Sequence, residues 1–351
     1  MKAEHAFSQA WRVFREASRT HASCLHERAY RFAGRRVRLQ VVGDLLADLM
    51  HLPFAHLQED HVPSGTADLT ISLWDQASLS HPAALDAGEG EWPSFRKSAD
   101  GRFALSRLSH SLSCLDREEA QIVGFVNDAR CLSLYERGRP LHVPLSIWHA
   151  DRGVPLIHAG LVSQRGMGLL FAGSAGVGKT TTALSCLCAG FDYLGDDLVG
   201  LETASEIILG HSLYGSSLVD PRSLRWFSPI CGHSTQGSHA DEEKQLAFLT
   251  EIFAARMQRV CEIRAVVLLR LPRDSCQRPE VHPASKAEAL LALAPSSLLI
   301  GVLSPGVSGF EALARLVESV PLYWLDPGSD VERIPAEVGR LIDLVGGRPG
   351  G

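Results

Sequence analysis

One segment constrains the fold of this 351-residue chain more than any other, because it reads G-x-x-x-x-G-K-T between an apolar run at 168–172 and a helical pattern. Its three glycines let the backbone turn closely around phosphates, with inward N–H groups and the amino end of the next helix facing the same anion. The lysine can reach the β and γ phosphates, and the Thr180 hydroxyl can bind Mg²⁺. The sequence therefore predicts a P-loop for a nucleoside triphosphate. The predicted nucleotide-binding residues are Gly173, Ser174, Ala175, Gly176, Val177, Gly178, Lys179, Thr180 and Thr181.

Lysine is rare in this chain, which singles out Lys179. Only five of the 34 basic residues are lysines, and Lys244 is another of them. The formal net charge is −6, so the composition implies no general affinity for polyanions and excludes nucleic acid as a default partner.

Composition and hydropathy favour a folded protein without a membrane segment. The chain is 45% hydrophobic and 21% charged. No apolar run approaches the roughly 18 to 20 residues of a membrane helix, and the charged amino terminus lacks the pattern of a secretory signal. We therefore expect a cytoplasmic protein with no membrane partner. The eight cysteines form no C-x-x-C pair, so we expect free thiols rather than a zinc ribbon or a disulfide framework.

The character of the sequence changes near residue 150, which predicts two domains. The region 1–148 is expected to be an α+β domain, and 149–345 has the alternating strands and helices of an α/β nucleotide-binding core. The tail 346–351 is expected to be disordered. The expected elements are a helix at 6–17, a hairpin at 30–42, a helix at 45–57, a strand at 69–73, a hairpin turning at 99–101, strands at 122–126, 154–162 and 168–172, a helix at 179–189, strands at 193–194 and 266–271, helices at 285–294 and 309–320, a strand at 322–325 and a helix at 334–345. A polar stretch at 228–243 is expected to be a surface loop.

Two adjacent carboxylates, Asp196 and Asp197, follow a short apolar strand soon after the P-loop helix. An Asp at a strand end holds magnesium in P-loop NTPases. Adjacent residues at a strand end point in opposite directions, so both can serve one site only if the chain turns there, which Gly195 permits. On geometry alone, two acids in a surface turn remain an alternative.

These residues resemble the HPr serine kinase/phosphorylase group and the wider set of HPr-kinase-related bacterial kinases, whose core is similar to that of phosphoenolpyruvate carboxykinase. The resemblance covers 156–201 closely and depends on Ile157-His158-Ala159, the P-loop and Gly195-Asp196-Asp197. It implies that Asp196 is a magnesium ligand, that Asp197 is the general base on the acceptor hydroxyl, and that His158 lines the same site. Without the resemblance, His158 would be interpreted as a buried structural histidine. The family's kinases assemble, so a homo-oligomer is compatible with the resemblance.

Two departures from the family pattern bear on the substrate. Thr181 stands where the bifunctional enzymes often have Glu, and no Arg-Gly-x-Gly signature follows the Asp pair. Neither HPr as substrate nor the reverse phosphorylase activity is therefore implied. Glu243-Lys244, a turn at 294–297 and the segment 320–323 instead resemble HPr-kinase-related kinases of biosynthetic loci, among them lasso-peptide clusters.

The leading functional hypothesis is an ATP- and Mg²⁺-dependent kinase that transfers the γ-phosphoryl group to a hydroxyl of a peptide, a protein or a small molecule. Asp197, Lys179 and His158 are the expected catalytic residues, with Thr180 and Asp196 on the metal. A further cation is expected from Arg222, Arg225 or Lys244. The amino-terminal domain would recognise the acceptor. Two alternatives stay open: a nucleotide-gated binding or scaffold protein with little turnover, and a carboxykinase-like enzyme acting on a small carboxylate.

Overall fold

A computed structural model describes residues 2–60, 65–79, 93–237, 243–270, 279–301, 309–328 and 330–347, with the backbone alone for 295–301. The chain divides into two compact units, the first ending at Trp148 and the second beginning at His149. Both units combine helices with parallel and antiparallel strands, so the fold is mixed α/β.

The first unit contains helices and a seven-stranded sheet in its described part, with strand order β1-β2-β3-β7-β6-β5-β4. The pairs β2–β3 and β3–β7 are parallel and the others are antiparallel. Its elements are α1 (Ala3–Thr20), β1 (Leu25–Phe32), β2 (Arg35–Val42), α2 (Asp44–His51), β3 (Leu69–Asp75), β4 (Ser94–Lys97), β5 (Phe103–Arg107), β6 (Ser111–Asp116), β7 (Gln121–Val126), α3 (Leu134–Gly138) and α4 (His142–Ala150), which extends two residues past the boundary.

Sequence periodicity explains the core of the first unit. In α1, the buried residues recur at helical spacing and include Ala6, Ala10 and Phe14. They pack in one cluster with sheet residues such as Trp74 and Phe125, which are also buried. The β1–β2 hairpin turns at Ala33 and Gly34, both with positive φ, as the two-residue turn of a hairpin requires.

The second unit contains a nine-stranded sheet and a three-stranded sheet in its described part. Its remaining elements are β8 (Leu156–His158), β9 (Gly160–Gln164), β10 (Met167–Ala172), α5 (Lys179–Cys188), β11 (Asp192–Gly195), β12 (Leu198–Glu202), β13 (Leu209–His211), β14 (Ser216–Val219), α6 (Pro221–Leu224), α7 (Ser228–Cys231), β15 (Ser234–Gln236), β16 (Gln245–Phe248), α8 (Leu249–Ile252), β17 (Val260–Leu269), β18 (Glu280–Pro283), α9 (Lys286–Gly301), α10 (Gly309–Ser319), β19 (Leu322–Asp326) and α11 (Ile334–Gly346).

Strand β10 lies inside the larger sheet, between β9 and β17. The order runs β11-β9-β10-β17-β13-β12-β8, and β19 also pairs with β17. β10, β17 and β19 are parallel to one another, so their carboxyl ends meet at one edge. Residues 169–172 of β10 are completely buried because apolar clusters cover both faces of the sheet. The edge at the carboxyl ends is where α/β sheets bind ligands.

Several expectations differ from the structure. The stretch 154–162 forms two strands separated at Ala159, and the expected turn at 294–297 is wrong, because α9 continues through Pro295 to Gly301. A proline removes one helical hydrogen bond and disfavours a helix without forbidding it. The expected loop at 228–243 contains α7 and β15, and its residues 238–242 lie outside the described ones. In the expected disordered tail, Gly346 is the last residue of α11, while 348–351 lie outside the described residues.

Two expectations about chemistry can be compared with the described residues. Seven of the cysteines lie in the described residues and are free thiols, and Cys276 lies outside the described residues. Among the helices that the structure describes, none is both long and apolar enough to cross a membrane.

Candidate functional site

The G-x-x-x-x-G-K-T segment connects β10 to α5 at the edge where the parallel strands end. Gly173, Gly176 and Gly178 have φ of 148°, 79° and 104°, a region that side chains disfavour. A Cβ on Gly173 would also lie 2.8 Å from Val177 Cγ1 and 3.0 Å from the carbonyl oxygen of Leu269. The glycines are therefore required by the shape of the loop itself.

Lys179 is the first residue of α5, and its side chain turns back over the loop. Its Nζ donates hydrogen bonds to the carbonyl oxygens of Gly173 (2.8 Å) and Ser174 (3.1 Å), and the residue is only 6% exposed. Residues 174–176 of the loop are exposed to solvent. A buried ammonium thus lies behind a loop whose outer surface is accessible to an anion.

Asp196 and Asp197 occupy a bend between β11 and β12, and their side chains have different partners. Asp196 is 3% exposed, and its Oδ2 accepts a hydrogen bond of 2.7 Å from Ser217 Oγ. Oδ1 of Asp197 lies 2.9 Å from Nε2 of His158, and both of these side chains are partly exposed. A Cβ on Gly195 would lie 2.7 Å from Val199 Cγ1, so this bend requires glycine.

Strand register brings His158 to the carboxylate pair. β8 and β12 are antiparallel, with His158 opposite Leu198, the residue after Asp197. The backbone N–H of Ala159 donates to the carbonyl oxygen of Asp197 at 3.1 Å. A sheet interaction therefore fixes the distance between the imidazole and the carboxylate.

The pKa of Lys179 reports on the charges around it. Burial lowers this pKa below its ordinary value, while the carboxylates of Asp197 and Asp196 oppose that shift and the Lys244 ammonium adds to it. Residues from three separate parts of the second unit thus share one electrostatic environment. Of the three cations considered from the sequence, Lys244 is the one that contributes to this shift.

The remaining predicted residues have the following local surroundings. Thr180 and Thr181 are in the first turn of α5 and are half-buried. Arg222 is exposed on α6, where its backbone N–H donates to Asp220 Oδ1. The exposed Arg225 places its guanidinium 4.7 Å from the ring centroid of Trp226.

Ser217 is a residue of this site that the sequence did not indicate. It lies on β14, in the three-stranded sheet, whereas Asp196 lies beside the larger sheet. A serine in the pair Ser216-Ser217 carries no pattern that would connect it with a carboxylate 21 positions earlier. Only the tertiary fold brings the two together.

The residues present fit a triphosphate and a hard cation. The loop offers accessible backbone, Lys179 supplies a positive charge, and Thr180 and Asp196 offer oxygen ligands of the kind that Mg²⁺ takes together with substrate phosphates. The bond from Ser217 occupies Oδ2 of Asp196 and orients the carboxylate.

Comparison with known proteins gives little further information. No protein-family model and no curated protein matches the chain. A solved structure described as the Hpr(Ser) kinase/phosphatase from Coxiella burnetii is 12% identical, covers 54% of this chain and 98% of its own, and has a TM-score of 0.29. This likeness is too low to show a common fold, so the function is argued from the site alone.

Proposed function

We propose that this protein is an ATP-dependent kinase that transfers the γ-phosphoryl group to a hydroxyl of a peptide, a protein or a small molecule. One observation carries the proposal: Lys179 closes the glycine loop while Asp196 and Asp197 act on its charge, and Asp197 is held by His158. A phosphate-binding loop beside a carboxylate with an accessible oxygen is what phosphoryl transfer to a hydroxyl needs.

The proposed reaction divides into holding the phosphates and orienting the acceptor. The loop N–H groups and Lys179 hold the β and γ phosphates. The oxygen of the acceptor hydroxyl forms a bond to the γ-phosphorus while Asp197 accepts the hydroxyl proton. The bond from that phosphorus to the β–γ bridging oxygen breaks, which releases ADP. Because the proton leaves late in a loose transition state, orienting the hydroxyl is the main task of Asp197.

His158 positions the base in this scheme. Its Nε2 donates to Oδ1 of Asp197 at 2.9 Å, and the Asp197 side chain stays 25% exposed, so an acceptor hydroxyl can approach the carboxylate. The imidazole thereby fixes one carboxylate oxygen in place, as a residue that orients a catalytic base does.

A magnesium ion would be held by Thr180 and Asp196. When bound, it neutralises charge on the phosphate oxygens. Lys244 supplies the further cation, because its charge lowers the pKa of Lys179 and its exposed side chain can extend toward a γ-phosphoryl group.

The first testable prediction concerns Asp197→Asn, which keeps the size of the side chain and removes the base. With γ-labelled ATP, Mg²⁺ and peptide mixtures or lysate fractions as acceptors, transfer should fall by at least about 100-fold. ATP affinity measured by calorimetry should stay within about threefold. Asp192→Asn, on the same stretch of chain, is the control and should transfer at the wild-type rate.

Each other outcome has a defined meaning. Normal transfer by Asp197→Asn would refute the assignment of the base. Tight ATP binding with no transfer to any fraction would favour the nucleotide-gated binding protein. Label appearing on a small carboxylate would favour the carboxykinase-like alternative.

A further inference from the structure

A cavity of about 580 Å³ opens beside the glycine loop, and its lining residues outside the loop have no part in the scheme above. One wall is the first half of the loop, 173–177. The other walls come from the end of β17, from α9 and from β19. The volume lies in the range of small-molecule sites, and the position is at the carboxyl ends of three parallel strands, where α/β sheets bind ligands.

The cavity lies on the opposite side of β10 from the strand that leads into the carboxylates. β11, which ends just before Asp196, is reached from β10 through β9, whereas Arg270 follows β17 and Trp324 lies on β19, both on the other side. A nucleotide with its γ-phosphate near Lys179 would therefore extend along the loop with its other end at this cavity.

Two planar side chains are held in the cavity wall. The guanidinium of Arg270 lies 5.6 Å from the ring centroid of Trp324. Its Nε is 3.6 Å from Oδ2 of the buried Asp326, and the arginine side chain remains 29% exposed. A preformed guanidinium–indole pair that solvent can reach is suited to stacking against a flat heterocycle.

A carboxylate and an exposed apolar side chain complete the wall. Oε2 of Glu288 accepts hydrogen bonds from the backbone N–H (2.8 Å) and the hydroxyl (2.6 Å) of Ser285, and Trp324 also hydrogen-bonds this carboxylate. These bonds fix the exposed carboxylate in the wall, and its two oxygens can accept about four hydrogen bonds in all, so it can still accept one from a ligand. Leu291, which also lines the cavity, is 75% exposed. When such a side chain packs against a ligand, apolar surface is removed from water, which favours binding.

We propose that this cavity binds the nucleoside of the nucleotide whose phosphates the loop holds. The base stacks on the Arg270–Trp324 pair, Leu291 packs against its edge, and the exposed carboxylate of Glu288 accepts a hydrogen bond from a ribose hydroxyl. This inference depends on the proposed function for the position of the phosphates and adds the recognition of the nucleoside.

The test compares two probes by calorimetry, Mg²⁺–ATP and Mg²⁺–tripolyphosphate, which lacks the nucleoside. Wild-type protein should bind ATP at least about tenfold more tightly. Trp324→Leu should weaken ATP by about tenfold, and Leu291→Gln by about threefold, while both change tripolyphosphate affinity by less than twofold. Leu291→Gln alters an exposed side chain, so it keeps the test valid if Trp324→Leu fails to fold. The control is Phe310→Ala, an exposed aromatic on α10 outside the cavity.

The outcomes separate this inference from the proposed function. Equal wild-type affinity for the two probes, or equal effects of the cavity variants on both, would overturn the nucleoside site. Lys179→Ala should weaken both probes by at least about tenfold. If it weakens neither, the phosphate assignment fails, whatever the cavity variants do.

Discussion

Asp196 and Asp197 are consecutive in the chain, and their different surroundings underlie the different roles proposed for them. Asp196 is buried and oriented by Ser217, whereas Asp197 is partly exposed and held by His158. A carboxylate fixed at one oxygen suits metal coordination, and one with an accessible oxygen suits proton transfer. Neighbouring residues can thus be separated in role by the bend between them.

A second prediction follows from the bond between Ser217 and Asp196. Ser217→Ala removes a donor from a carboxylate that is 3% exposed, so the free energy of unfolding should fall by about 1 to 2 kcal/mol. The Mg²⁺ concentration giving half-maximal transfer should rise by about three- to tenfold, as judged by titration of the kinase assay. Ser217→Thr keeps the hydroxyl and is the control. An unchanged Mg²⁺ titration in Ser217→Ala would separate this serine from the metal site.

A third prediction concerns Tyr30 and His51 in the first unit. Burial raises the pKa of Tyr30 to about 12 and lowers that of His51 below its ordinary 6.5, so at neutral pH the phenol donates to Nδ1 of the neutral imidazole at 3.0 Å. Below pH 6.5 the unfolded chain takes up a proton before the folded chain does, so stability falls as the pH falls toward the folded pKa and is constant above 6.5.

Thermal unfolding at pH 7.5 and 5.5 measures this effect. His51→Gln should reduce the drop in Tm between the two pH values by about 2 °C relative to wild type. The exposed His5 provides the comparison, because His5→Gln should leave the drop unchanged. An equal drop in wild type and His51→Gln would mean that another group causes the loss of thermal stability between pH 7.5 and pH 5.5.

At the scale of elements, local sequence patterns predicted the helices, strands and hairpins whose formation depends on residues nearby in the sequence. The hairpin at 30–42 is confirmed because alternating apolar residues flank a turn that tolerates positive φ. The helix from Lys179 is confirmed in the same way, since glycines precede it and Gly190 follows its end. The strands at 69–73 and 122–126 and the hairpin at 99–101 also form, within slightly different bounds.

Elements that depend on distant partners were not predicted. The three-stranded sheet β14-β16-β15 joins segments with short, weakly alternating sequences, which become strands by pairing with each other. The contact of Ser217 with Asp196, and the cavity wall that contains Arg270 and Trp324, arise from the packing of such elements. The residues of the loop could therefore be predicted from the sequence, and much of their surroundings could not.

The loop supports a fourth prediction. Gly173→Ala adds a Cβ within 3.0 Å of Val177 Cγ1 and the Leu269 carbonyl at a φ of 148°, so the loop must open. We expect a stability loss of about 1 to 3 kcal/mol and ATP binding weakened by at least about tenfold. Gly153→Ala is the matched control, since its φ is also positive but its surroundings are open. It should alter stability without altering ATP affinity; wild-type binding by Gly173→Ala would contradict the role of the loop.

At the scale of the whole molecule, each unit has its own apolar core. Buried clusters on both faces of the nine-stranded sheet stabilise the second unit, and α1 packs with sheet residues to form a separate core in the first. All residues of the proposed kinase site lie in the second unit. A net charge of −6 does not oppose nucleotide binding there, because loop amides, Lys179 and a bound cation act locally.

The first unit contains a cavity of about 510 Å³ of its own, lined in part by Phe95, Tyr135 and His142. Aromatic side chains beside polar groups are typical of ligand sites. None of its lining residues belongs to the proposed phosphate site, and it is the candidate location for the acceptor recognition expected of this unit.

The fifth prediction follows from this division. A fragment of residues 149–351 should fold, because its core clusters are internal to it, and should bind Mg²⁺–ATP within about threefold of the full chain. Transfer of labelled phosphate to the preferred lysate fraction should fall by at least about tenfold, because the fragment lacks the acceptor-recognition unit. Circular dichroism checks folding, calorimetry checks binding, and the same label assay checks transfer. Full transfer by the fragment would place acceptor recognition in the second unit, whereas loss of ATP binding in a folded fragment would mean that the first unit contributes to the nucleotide site.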